Sequence, residues 1–174
     1  VGTSSDFANV GLTQGGTSDN LSVRVKSAPA FDYAVNDNSQ MLNLQWVLNE
    51  NVAGGNALST NFQWPVSVEA GSFNRSNPVF QADYTGSAYQ ARPSTVSGSN
   101  PYNSASSTNF SGNLSNRIFV LGNINGIFPC LATNAGGGDW QTVGTWVNGV
   151  VPPAGASVCI NSAVTVTSTD PQTL

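Results

Sequence analysis

Wherever apolar residues recur regularly in this chain they recur at every second position, a period that fits a pleated strand and not a helical turn. Leu21, Val23 and Val25 alternate with Ser22, Arg24 and Lys26. Leu42, Leu44, Trp46 and Leu48 alternate with Asn43, Gln45 and Val47, and Phe62, Trp64, Val66 and Val68 with Gln63, Pro65 and Ser67. No window long enough for a helix of about ten residues carries an amphipathic stripe. The expected fold is all-β: an antiparallel β-sandwich with a short carboxyl-terminal β extension.

The turns follow from the glycines. Glu50 to Asn56 contains Gly54 and Gly55 and reads as a hairpin joining the second and third of these strands, with Pro65 making the third an edge or pairing there only through its carbonyl. Val79 to Tyr84 and Ala88 to Arg92 flank Thr85-Gly86-Ser87 as a second hairpin, with Phe80, Ala82 and Tyr84 on one face. Ser94 to Asn109 is polar and predicts a long loop or a short edge strand. Ile118 to Leu121 is continuously apolar, as in a strand buried on both faces, and Asn123 to Phe128 keeps some β pattern. Ala135-Gly136-Gly137-Gly138 reads as a hinge or linker. The expected organisation is an amino-terminal extension over 1–16, a β-sandwich over 17–134 and a β segment over 135–174.

Composition narrows the function. Charged residues are 8% of the 174 and apolar residues 39%, so the chain can bury a core although it carries few charges. Five Lys and Arg against nine Asp and Glu give a net charge of -4 with no basic run, which argues against nucleic acid. No stretch approaches the roughly 20 apolar residues of a membrane span, and the amino terminus, without signal-peptide features, reads as that of a mature protein or a fragment. The absence of His removes the commonest general base and most zinc sites. Glu50, Glu69 and Asp83 lie near predicted strand ends as a conceivable acid and base for glycoside chemistry, against a plainer reading as solvated loop carboxylates. Asp32, Asn36, Asp37 and Asn38 offer calcium-type oxygens without the spacing or glycine of an EF-hand. The expectation is a protein that is not an enzyme and carries no metal or other cofactor. The N-x-Ser motifs at Asn20, Asn74, Asn109 and Asn113 matter only in a host that glycosylates them.

Cys130 and Cys159, an even count in a Lys-poor and Asn-rich chain, predict one disulfide in an exported protein; the alternative is a pair of buried thiols. Trp140 and Trp146 share a parity that would place both on one strand face, either as a strip for a sugar or as core anchors.

Two stretches carry a resemblance. Phe73-Asn74-Arg75-Ser76-Asn77-Pro78-Val79-Phe80, Tyr84-Thr85-Gly86, Gly98-Ser99-Asn100-Pro101-Tyr102 and Phe119-Val120-Leu121-Gly122-Asn123 together resemble a β-sandwich module of large secreted surface proteins of Bacteroidota. Gly138-Asp139-Trp140, Thr145-Trp146, Gly149, Pro152, Val158-Cys159-Ile160 and Val164-Thr165-Val166 are similar to the start of a β-repeat module of the same proteins, although Ala156-Ser157 stands where an acidic residue often precedes the valine. The resemblance implies type IX secretion and a role at the cell surface, in adhesion, gliding or coat formation.

Residues 139–174 are too few to bury a core unaided, since domains below roughly 40 residues usually need a staple or a partner. They either fold back on the sandwich through the cysteine pair or add a strand to another copy of the chain, through Val158, Ile160, Val164 and Val166. The irregular segment from Val1 to Gly16 is a weaker donor. The reading is therefore an extracellular or cell-surface structural or adhesive subunit that assembles with copies of itself into a filament or layer by strand addition. The alternative is a carbohydrate-binding module of a larger secreted protein, with a polysaccharide as its partner.

Overall fold

The computed structural model describes residues 7–28, 31–54, 56–106, 108–147 and 149–166. The first six residues of the expected amino-terminal extension and residues 167–174 of the expected carboxyl-terminal segment lie outside them.

Strands β1 (Val10–Gly16), β2 (Leu21–Ser27), β3 (Leu44–Glu50), β4 (Asn56–Trp64), β5 (Val79–Tyr84), β6 (Tyr89–Gly98), β7 (Tyr102–Ser106), β8 (Phe110–Ser111) and β9 (Arg117–Asn123) form one antiparallel sheet. Its order is β1-β4-β7-β6-β5-β9-β3-β2, with β8 also paired to β4. The sheet curls so that β1 and β4 face β2, β3 and β9, and the fold is all-β and sandwich-like. Leu58, Phe62 and Trp64 of β4 and Leu44, Trp46 and Leu48 of β3 meet in the inner core, where the Trp46 and Phe62 rings lie 4.7 Å apart.

The continuous run in β9 divides between two cores. Phe119 and Leu121 enter the inner one, while Ile118 and Val120 stand on the outer face beside Phe80, Ala82, Tyr89 and Val47. That outer face is covered by the rest of the chain. The one-turn helix α1 (Ile124–Ile127) takes the place of the β pattern expected over 123–128, and Phe128, Leu131, Trp140, Trp146 and Val150 continue the same cluster. A single apolar cluster therefore runs across the boundary expected at residue 134.

Three expectations about the strands are corrected. β3 and β4 do not form a hairpin: β3 pairs with β2 and β9, and β4 with β1, β7 and β8. The connection after Glu50 is long enough to cross from one layer to the other, about 10 Å away, instead of turning back within a layer. β4 stops at Trp64 because Pro65 lacks an N–H, and Val66–Val68 form a 3-10 turn closed by the Val68 amide on the Pro65 carbonyl. The polar stretch after Ser94 is not a loop; it continues β6 and, past a turn at Gly98, supplies β7. Gly98 has φ +90°, and a Cβ there would lie 2.9 Å from the Pro101 carbonyl oxygen. The hydroxyls of this stretch line a polar part of the interior, where Ser104 Oγ donates to Ser94 Oγ at 2.7 Å and Gln81 Nε2 donates to the Ser104 carbonyl at 2.7 Å. Thr60 Oγ1 completes the network on Gln81 Oε1. The second hairpin, β5 with β6, forms as expected, with Tyr84 opposite Tyr89.

Tyr89 belongs to the outer core, and its hydroxyl donates to the Tyr33 carbonyl at 3.3 Å. Burial pushes its phenol well above the ordinary value, and the Asp32 carboxylate adds to the shift. The folded state holds this proton more tightly than the unfolded chain does. Its contribution to stability is therefore complete below the ordinary phenol value, about 10, and is lost as pH rises from there toward the folded value. Urea unfolding should show the midpoint of the natural chain falling above about pH 10, and Tyr89→Phe should lessen that fall.

Candidate functional site

The carboxyl-terminal segment is a flattened coil of two rungs. β10 (Leu131–Ala132) and β11 (Gly138–Asp139) form the first, and β12 (Val158–Cys159) and β13 (Val164–Thr165) lie parallel beside them as the second. The Leu131 and Thr133 amides donate to the Ser157 and Cys159 carbonyls at 2.8 and 3.1 Å, and the Gly138 and Trp140 amides to Ala163 and Thr165 at 3.0 and 2.9 Å. Cys130 and Cys159 form a disulfide with their Cα atoms 5.7 Å apart, so the covalent link joins the two rungs at one end.

Two features that hold the rungs together are hard to read from sequence. The Thr133 hydroxyl oxygen accepts from both the Asn161 and Ser162 amides at 2.9 Å, satisfying the backbone where the second rung turns. Nothing about a lone threonine signals this. The glycine run does carry a signal, but it is a packed contact and not a linker. Gly137 has φ +60°, and a Cβ there would sit 1.9 Å from the Ala163 carbonyl oxygen, while one on Gly138 would sit 2.6 Å from Thr145 Oγ1. The glycines let the first rung approach the second.

The structure brings together part of what the sequence singles out. Val164 packs on the outer core, whereas Val158, Ile160 and Val166 are 36%, 52% and 41% exposed. Among the described residues no strand pairs with the far side of β12 or β13, so these three side chains accompany an open backbone edge. Trp140 and Trp146 meet edge to face at 5.0 Å, and Trp146 Nε1 donates to the Trp140 carbonyl at 2.9 Å. Both are buried, at 8% and 1% exposure, so they serve as anchors of the outer core and no sugar-stacking strip is assembled.

The carboxylates are held apart by separate partners. Glu50 accepts the Gly54 and Leu114 amides at 3.0 and 2.7 Å. Glu69 pairs with Arg75 at 2.6 Å and accepts Trp64 Nε1 at 2.8 Å. Asp83 binds Arg92 at 2.7 Å and Arg117 at 2.5 Å. Of the calcium-type cluster, Asp32 pairs with Lys26 at 2.6 Å, and the Asn36 amide donates to the Asn125 carbonyl at 2.7 Å. Asp37 accepts from Gln40 Nε2 and the Ser39 amide, bonds that hold its carboxyl below the usual range. Among the described residues no group of three or more His, Cys, Asp or Glu is placed to hold a metal ion, and no helix is long and apolar enough to cross a membrane.

Compared with protein families, curated proteins and solved structures, the chain matches none.

The glycine contact can be tested directly. Gly137→Ala should lower stability by more than about 1 kcal/mol, because the φ is positive and the approach to Ala163 is closed. Gly136→Ala, at a position with nothing within 4 Å of the added carbon, should be close to neutral. Faster hydrogen exchange at the Gly138 and Trp140 amides in the first variant alone would locate the damage between the rungs.

Proposed function

We propose that this chain is an extracellular structural or adhesive subunit that assembles by strand addition, with the second rung of the carboxyl-terminal coil as the contact. The observation that carries this reading is the exposed valine and isoleucine side chains, Val158, Ile160 and Val166, beside an edge that pairs on one side only among the described residues. An open edge with β-branched side chains is a template for another strand: main-chain hydrogen bonds give affinity and the apolar side chains give register. The disulfide across the two rungs supports placement outside the cell, where such bonds persist, and fixes the rung before a partner arrives. The resemblance to secreted surface modules of Bacteroidota points the same way.

In this reading the open rung is donated to a different surface of the next copy, so the contact is head to tail. A heterologous contact of this kind builds a filament if it does not close. Few charges lie on the rung, and Asp139 is the single charged residue of β10 to β13, so the association rests on apolar burial and backbone pairing.

Electron microscopy and light scattering of the purified chain should show regular polymers that persist at about 1 M salt, where the Debye length is about 3 Å. Ile160→Lys combined with Val158→Lys should abolish them while leaving the thermal unfolding of the subunit nearly unchanged, because both side chains are already exposed. Polymers in the double variant, or dissolution by salt alone, would overturn the assignment of the contact.

A further inference from the structure

A second open edge lies on the other side of the outer core. β5 pairs with β6 from Tyr89 to Ser94, but β7 pairs only with its later part, from Ser94 to Gly98. Residues 89–93 of β6 therefore have a strand on one side only among the described residues, over roughly 13 Å at about 3.3 Å per residue. Where the next strand would run there is a cleft of about 410 Å³, lined by Gln90, Arg92, Thr108, Val143, Trp146 and Val147 among others. Its size falls within the range of about 300–1,000 Å³ usual for small-ligand sites.

The chemistry of the walls is uneven. Val143 and Val147 form an apolar rim, 59% and 58% exposed. Arg92 is the one charged residue among the described residues that line the cleft, and it shares the Asp83 carboxylate with Arg117, so this group of three carries a surplus of one positive charge in a chain whose net charge is -4. The Arg92 guanidinium lies over the Phe110 ring at 4.0 Å and donates from one nitrogen to Asp83. Asp83 is its sole hydrogen-bond partner among the described residues, and no Asp or Glu lines the cleft.

We propose that this cleft is a docking site for an extended acidic peptide segment, which adds as a short strand to the free edge of β6 and places a carboxylate on Arg92. Main-chain groups alternate between the two edges of β6, so Tyr89 and Ala91 offer the free edge both amide and carbonyl while Gln90 and Arg92 face β5; Pro93 adds a carbonyl but no N–H. The remaining guanidinium nitrogens supply a planar fork for the carboxylate. The valine rim takes an apolar side chain of the incoming strand. An open main-chain edge is what selects a peptide over a sugar acid, which has no repeating amide to pair with it. This site is separate from the rung at Val158–Val166, and it stands or falls independently of self-assembly.

The probe is a capped five-residue peptide of alternating valine and threonine with a central aspartate, titrated into the isotope-labelled full chain and followed by NMR. The backbone amides of Tyr89 and Ala91 and the indole N–H of Trp146 should shift together. The asparagine counterpart should bind at least tenfold more weakly, and N-methylation of the peptide's amides should abolish binding. Arg92→Lys should weaken the aspartate peptide about tenfold, whereas Gln90→Ala should change it less than twofold, because its side chain is not the carboxylate's partner and its main-chain groups face β5. If Arg92→Lys does not fold, the aspartate and asparagine peptides on the natural chain still decide the matter. Equal binding of those two peptides, no shifts at millimolar peptide, or binding of glucuronate oligomers with Gln90→Ala sensitivity and no peptide binding would overturn the proposal. Shifts at the cleft on raising the protein concentration alone would also overturn it, by making the occupant a second copy of this chain.

Discussion

A strand that is apolar on both faces must be covered twice, and β9, an inner strand of this sheet between β5 and β3, sets that requirement. Phe119 and Leu121 on one side and Ile118 and Val120 on the other leave neither face fit for water. The curl of the sheet answers the first half of the requirement by bringing β1 and β4 over the inner face. The second half is answered by residues 124–166, whose tryptophans and valines occupy the outer face. The carboxyl-terminal coil is therefore held by the sandwich, and the sandwich in turn depends on it. Gly126 of α1 shows how close the cover lies, since a Cβ there would sit 2.8 Å from Sδ of Met41 in the outer core.

Much of this was legible in the sequence where period or continuity matches burial. The alternation in Leu21–Val25 and the continuous run at Ile118–Leu121 each correspond to a strand buried as its side chains require, and Thr85-Gly86-Ser87 to the turn between β5 and β6; the alternation in Leu42–Leu48 finds β3 but not that Gln45 and Val47 on its other face are buried as well. The reading failed where the interior is polar. Ser94 to Ser106 carries hydroxyls into the sandwich to serve Gln81 and Ser104, so a search for apolar faces finds a loop or a short edge strand where there are two strands inside the sheet. It failed again where partner choice is not local: nothing near Glu50 says that β4 will join β1 and β7 and not β3. The glycine run before Trp140 reads as freedom in the sequence and acts as close contact in the fold.

The site shows the same division. Pairing of Cys130 with Cys159 follows from their number, and the exposure of Val158, Ile160 and Val166 follows from a segment too short to cover itself. Val164 is partly buried because its rung must also seal the outer core. The acidic groups are distributed among arginines, lysine and backbone amides, an arrangement that fixes loops and strand ends. The free edge at Tyr89–Pro93 was hidden, since it exists only because β7 is shorter than β6. Two open edges at different places in the fold, one beside exposed valine and isoleucine and one beside Arg92, are what the proposed role in attachment rests on.

The central claim is that the coil and the sandwich share one core, so the two must unfold together. Equilibrium urea unfolding, followed both by fluorescence of Trp140 and Trp146 in a chain whose other two tryptophans are replaced by phenylalanine and by far-ultraviolet circular dichroism of the sheet, tests this most directly. Coincident transitions with one midpoint are the expected result. A separate, earlier transition in the fluorescence, with the sheet signal intact, would contradict the account and make the coil an independent unit.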